Sequence, residues 1–142
     1  MESMAMSKEI YIAAAVITRE DGNVLLVRKR GTLAFMQPGG KFEAGEEAID
    51  ALCRELREEL QLHVVPSSVS YIQRFSAPAA NEPGHTVIAE VFHVPTAETV
   101  EPHAEIEEIF WANPNTPGPL NLAPLTRDHI LPFWLSRASE YK

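Results

Sequence analysis

Cysteine is almost absent from this sequence: Cys53 stands alone among 142 residues. No intrachain disulfide framework is therefore available, and a reducing, cytoplasmic compartment is the expectation. Positive charge is also scarce, with 12 Lys and Arg against 20 Asp and Glu and a net charge of -8. Nucleic-acid binding and adhesion to anionic membranes both need surplus Lys and Arg, so neither is expected. No apolar run approaches the roughly 20 residues of a membrane span. The opening stretch MESMAMSKEI lacks a signal-like apolar core, and residues 1–7 are expected to form a loose tail. His63, His85, His93, His103 and His129 have no tight ligand spacing, which argues against zinc.

What is present is an ordinary globular composition, 45% hydrophobic and 23% charged. That length suits one domain over 1–142, with no internal repeat or low-complexity segment. Residues 9–18 read as a buried strand, and Asp21-Gly22 signals a hairpin into a second strand at 24–30. A loop with one short strand follows over 31–40. Apolar spacing predicts a helix over 46–60. Strands are expected at 69–77, 85–94 and 106–112, and a Pro-rich crossing at 113–124. Helical spacing returns over 125–140, where Pro132 should kink the helix or start a new turn. Strands around one central helix, with a second helix at the end, fit an α/β domain with a mixed β-sheet.

The central helix has an unusual charge pattern. Ala48, Ile49, Leu52, Cys53, Leu56 and Leu60 share a broad apolar face, while Asp50 and Arg57 lie opposite. Glu55, Glu58 and Glu59 occupy a band beside the apolar stripe, and Glu59 overlaps its edge. Like charges at this spacing repel, and partial burial adds to the cost. Arg54 and Arg57 offset part of it; a hard divalent cation, Mg²⁺ or Mn²⁺, would do so better through oxygen ligands. Most Glu-rich helices are simply solvated faces. Against that stands the preceding Pro38-Gly39-Gly40, whose bare backbone lets a ligand approach and offers a carbonyl to the same cation.

The stretch from Gly40 through Glu46 to Arg54-Glu55-Leu56-Arg57-Glu58-Glu59-Leu60-Gln61-Leu62 closely resembles the Nudix box. Gln61 departs from it, because the family has Gly there. That Gly ends the helix in a left-handed turn, which Gln adopts at a cost of about 1 kcal/mol. Gln37 is a weaker departure, at a position where an apolar residue is usual. The resemblance implies a Nudix-like α/β/α sandwich and hydrolysis of a diphosphate linkage in a nucleoside diphosphate derivative. A small-molecule nucleotide, such as a normal or oxidised nucleoside triphosphate, is the expected substrate. An ADP-ribose or nucleotide-sugar pyrophosphatase is the alternative, and a non-catalytic nucleotide sensor on the same fold is a third.

By the same resemblance Glu55, Glu58 and Glu59, with the Gly39 carbonyl, are candidate metal ligands, and Glu58 is also the candidate base. Arg54 would orient the glutamates. Gly40 and Glu46 are structural members of the motif. Many relatives place another Glu in a loop before the last strand, and Glu105 fits best, ahead of Glu101 and Glu98. Many are dimers, so a homodimer is a further expectation. From their loop-proximal positions, Phe35 and Phe75 are candidates to stack on a base. Arg28 and Lys41, near Lys29 and Arg30, are candidate phosphate contacts.

Overall fold

Residues 8–137 are described by the computed structural model. Seven strands form one mixed sheet: β1 (Lys8–Thr18), β2 (Val24–Lys29), β3 (Phe35–Met36), β4 (Gly39–Lys41), β5 (Ser70–Pro78), β6 (His85–Pro95) and β7 (Ile106–Ala112). The path runs β3-β2-β1-β6-β5, with β4 on β1 and β7 on β2. β1 and β6 run parallel, paired from Lys8↔His85 to Thr18↔Pro95, while the other pairs are antiparallel. The middle of β1 is apolar in succession because both faces of the sheet are covered there. Ala13, Ala15 and Ile17 pack toward one core cluster and Ala14 and Val16 toward the other.

Helix α1 (Ala48–Leu60) covers the first face. Its Leu52, Leu56 and Leu60 are fully buried, each contributing about 1.5–3 kcal/mol of transfer free energy. The helix begins at Ala48, two residues later than the apolar spacing suggests, because the Glu46 N–H closes a turn onto the Glu43 carbonyl at 3.0 Å, with Gly45 at φ 80° and Glu47 extended; the Glu46 carboxylate is engaged in the same turn. It accepts the Glu43 backbone N–H at 2.7 Å. The helix ends on Gln61, which adopts the left-handed conformation at φ 53°, ψ 32°. Its N–H donates to the Arg57 carbonyl at 3.0 Å, and the Leu62 N–H to the Leu56 carbonyl at 3.2 Å. The turn that Gly makes in the family's motif is thus made here by Gln.

The second face is covered by a π-helix (Leu125–Ile130) that runs into α2 (Leu131–Arg137). Pro132 lacks an N–H, and the wider turn ends at Ile130, two residues before it, a local break of the kind its position predicts. Leu125, Ile130, Leu131 and Trp134 pack there on Val16, Ala89 and Val91. The expected tail at 1–7 and the end of the expected helix, 138–140, lie outside the described residues. Among the described residues no helix is long and apolar enough to cross a membrane.

Candidate functional site

The site is built where β4 slides under α1. Gly39 has φ +145°, and a Cβ there would strike the Ala13 carbonyl and lie 2.8 Å from Ala14 Cα. A Cβ on Gly40 would lie 2.5 Å from Glu55 Oε1. These bare positions let the strand lie flat on β1 and still touch the helix carboxylates. The Gly39 N–H then donates to Glu59 Oε1 at 3.3 Å.

Arg54 holds the loop and the helix together. Its Nε donates to Glu46 Oε2 at 2.8 Å, and its Nη2 to Glu46 Oε1 at 2.9 Å and to the Lys41 carbonyl at 3.0 Å. Its Nη1 donates to Glu55 Oε2 at 2.8 Å and approaches Glu58 Oε1 at 3.5 Å. The bidentate pair lowers the Glu46 carboxyl to about 2 and pushes Arg54 still higher. Arg54 therefore stays charged while steering Glu55, and Glu46 braces the loop.

Glu55, Glu59 and Glu105 converge, one oxygen of each lying within 4.8 Å of the others. Glu59 is 1% exposed, as its place at the edge of the apolar stripe predicts. Burial, then repulsion from Glu55, raises its carboxyl to about 9. Burial raises Glu55 too, against the pull of Arg54. Glu59 Oε2 is buried with no hydrogen-bond partner among the described residues. An all-oxygen group with an orphaned buried acceptor suits a hard divalent cation, which would supply the missing positive charge.

Glu105 reaches the group from a loop through a strained turn. Ala104 has φ 54°, unusual for a residue with a Cβ. The turn is pinned by the His103 N–H to the Glu59 carbonyl at 2.8 Å and the Arg30 N–H to the Glu105 carbonyl at 2.8 Å. Lys29 Nζ lies 3.6 Å from Glu105 Oε1.

The other candidates are distributed unevenly. Glu58 stands outside the converging group, its side chain 52% exposed beside Arg54. Lys41 lines the adjoining cavity of about 360 Å³, with Lys29, Gln37, Gly40, Glu55 and Glu105. Its Nζ faces Glu82 at 3.8 Å. Arg28 is engaged elsewhere, with Glu108 and the Thr32 carbonyl. Phe35 is buried with Leu26 and Ala112, and Phe75 packs edge-on against Phe133. Both rings pack against core residues, Phe35 buried and Phe75 partly so. Glu98 and Glu101 do not join the carboxylates. Two participants carried no clear signal in the sequence: Ala104, whose conformation its side chain does not announce, and the buried Gln37, visible only as a polar residue in an apolar position.

A NUDIX domain model matches residues 9–132. The CTP pyrophosphohydrolase of Escherichia coli is 32% identical over 140 residues, covering 93% of this chain and 96% of that protein. The ADP-ribose pyrophosphatase of Methanocaldococcus jannaschii is 33% identical over 90 residues, 58% of this chain and 52% of that one. The chain spans about half or less of the length of several curated relatives that it matches. The solution structure of the Escherichia coli ORF135 protein superposes with a TM-score of 0.73 at 27% identity, covering 98% of this chain and 97% of that chain. With the glycine strand, the arginine hub and the carboxylate helix in place, the match over residues 9–132 shows that this chain belongs to the NUDIX domain family.

Proposed function

We propose that this protein is a divalent-metal-dependent nucleotide pyrophosphohydrolase that opens a diphosphate linkage in a nucleoside diphosphate derivative, a nucleoside triphosphate foremost. The observation that carries the reading is the convergence of Glu55, Glu59 and Glu105 within 4.8 Å beside a cavity of about 360 Å³. Arg54 offsets the charge of Glu55 and Lys29 that of Glu105, while the buried Glu59 has no ion-pair partner among the described residues, so the three carboxylates still repel at this distance. Relatives named for CTP, ADP-ribose and 8-oxo-dGTP support the substrate class.

Glu55, Glu59 and Glu105 would hold Mg²⁺ or Mn²⁺, with the Gly39 backbone alongside. Such an ion, when bound, neutralises phosphate charge and lowers the pKa of an attacking water. The chain's own residues do the rest. Arg54 fixes the Glu55 carboxylate and lies beside Glu58, whose half-exposed carboxylate would take a proton from water. Lys29 and Lys41 line the cavity and supply positive charge for phosphate. Glu46 acts on the loop and touches no substrate.

The test is turnover of a nucleotide panel with and without Mg²⁺, products resolved by anion exchange. The panel holds nucleoside triphosphates, 8-oxo-dGTP, ADP-ribose and a nucleotide sugar. Metal-dependent turnover should fall by at least about 10²-fold in Glu59→Gln and in Glu58→Gln. Tight nucleotide binding with no turnover in either metal would replace the hydrolase reading with that of a sensor.

A further inference from the structure

Gln37 is the one polar side chain that β3 and β4 carry into the interior between them. It is 6% exposed, and it lines the same cavity as Glu55 and Glu105. Its Oε1 accepts the Thr126 hydroxyl at 2.6 Å. Its Nε2 is buried with no hydrogen-bond partner among the described residues. A buried amide whose donor end is unpaired is destabilising, and native interiors rarely keep one without use.

Its surroundings indicate the use. Ile10, Ile12, Met36 and Val87 give the cavity an apolar floor, suited to a flat ring. A second cavity of about 610 Å³ adjoins it, sharing Ala79, Ala80 and Asn81 and lined also by Arg127, the neighbour of Thr126. With the phosphates against these carboxylates and lysines, as the proposed function has them, this floor is the apolar surface left in the same cavity for the base. Thr126 holds the amide oxygen at 2.6 Å, which leaves the buried Nε2 amide, a donor-only group, as the end without a partner among the described residues. A donor-only group matches a carbonyl oxygen and clashes with an exocyclic amine.

We propose that Gln37 is a specificity-determining residue of this site. Its Nε2–H donates to a carbonyl oxygen of the nucleobase, favouring nucleotides of oxo-bearing bases over adenine nucleotides. The proposal rests on the nucleotide-hydrolase reading and narrows its substrate class: among the common bases, adenine alone has no carbonyl.

The test compares ITP with ATP, which differ at the purine 6-position. The wild-type protein should show a kcat/KM ratio of about tenfold or more in favour of ITP. Gln37→Met, close to the same volume, should bring the ratio near one, slowing ITP by loss of the hydrogen bond and speeding ATP by relief of the clash with its amine. Thr126→Val, which frees the amide to turn, should lower the ratio part of the way. IMP and AMP affinities by calorimetry, which need no turnover, should show the same preference and the same loss in Gln37→Met. If Gln37→Met slows ITP and ATP alike, or leaves the ratio as in wild type, the residue is structural and the proposal is overturned even though hydrolysis stands. If no nucleotide is hydrolysed but the Gln37-dependent IMP preference is found, the hydrolase reading fails and base selection by Gln37 stands.

Discussion

At the scale of single residues, Glu59 is where burial and function collide. Its carboxyl is raised to about 9, above the ordinary 4.5 it recovers on unfolding. Between these values the folded chain holds a proton that the unfolded chain releases. The contribution of Glu59 to stability is therefore full below about 4.5 and is lost as pH rises through about 9. Metal-free protein should lose about 1–3 kcal/mol between pH 7 and 9, read from urea midpoints. Glu59→Gln should flatten that decline. Added Mg²⁺ at pH 9 should raise the wild-type midpoint, because a ligand that binds the native state stabilises it by mass action. A wild-type curve that is flat from pH 7 to 9 would remove the buried-proton account. Much of this residue was legible in advance: helical periodicity alone put Glu59 at the edge of the apolar stripe. The position of Glu105 beside it was less so, because its approach depends on the left-handed Ala104, and no side chain marks that turn.

At the scale of elements, α1 shows how far a motif can bend while keeping its geometry. The αL cap falls on Gln61, with both terminal carbonyl bonds made. Gln61→Gly should stabilise the protein by about 0.5–1 kcal/mol, raising Tm by a few degrees with activity unchanged. A fall in Tm would mean that the Gln side chain offsets its own backbone strain. The strands were legible as alternating or apolar runs between turn residues. The short β4 was not, since Gly39-Gly40 reads as a turn; only its pairing with Ala13 and Ala14 makes it a strand. The π-turn before Pro132 was foreseen as a break but not in its form, because the proline fixes where the regular helix must yield and tertiary packing decides how.

At the scale of the whole molecule, the C-terminal helices are clasped to the sheet through His93. Its ring is 5% exposed, 4.8 Å from the Trp134 ring, with Nε2 2.8 Å from Thr18 Oγ1. Burial lowers its pKa to about 4. Here the unfolded chain takes the proton first, so stability is lost as pH falls from about 6.5 toward 4. The contribution should be about 1–2 kcal/mol, allowing for solvent screening. It is best measured in Glu59→Gln, where the opposite slope of Glu59 is gone: adding His93→Gln should flatten Tm between pH 6.5 and 4.5. An unchanged slope would assign the acid sensitivity to other groups. The layering itself followed from the sequence, because apolar β1 demands cover on both faces. Which cavity carries chemistry did not follow, since it depends on loops whose path no local pattern sets.

The tether from the His103 N–H to the Glu59 carbonyl has a consequence for how such a protein can diversify. It anchors the end of the loop nearest Glu105 to the helix, and the Arg30 N–H anchors the next residue to β2. Upstream, Val100 is buried against the same helix and the Thr96 N–H is bonded to the Thr18 carbonyl, which leaves the exposed stretch Ala97 to Thr99 between two fixed points. Insertions or deletions there can reshape the molecular surface while leaving the three carboxylates in register.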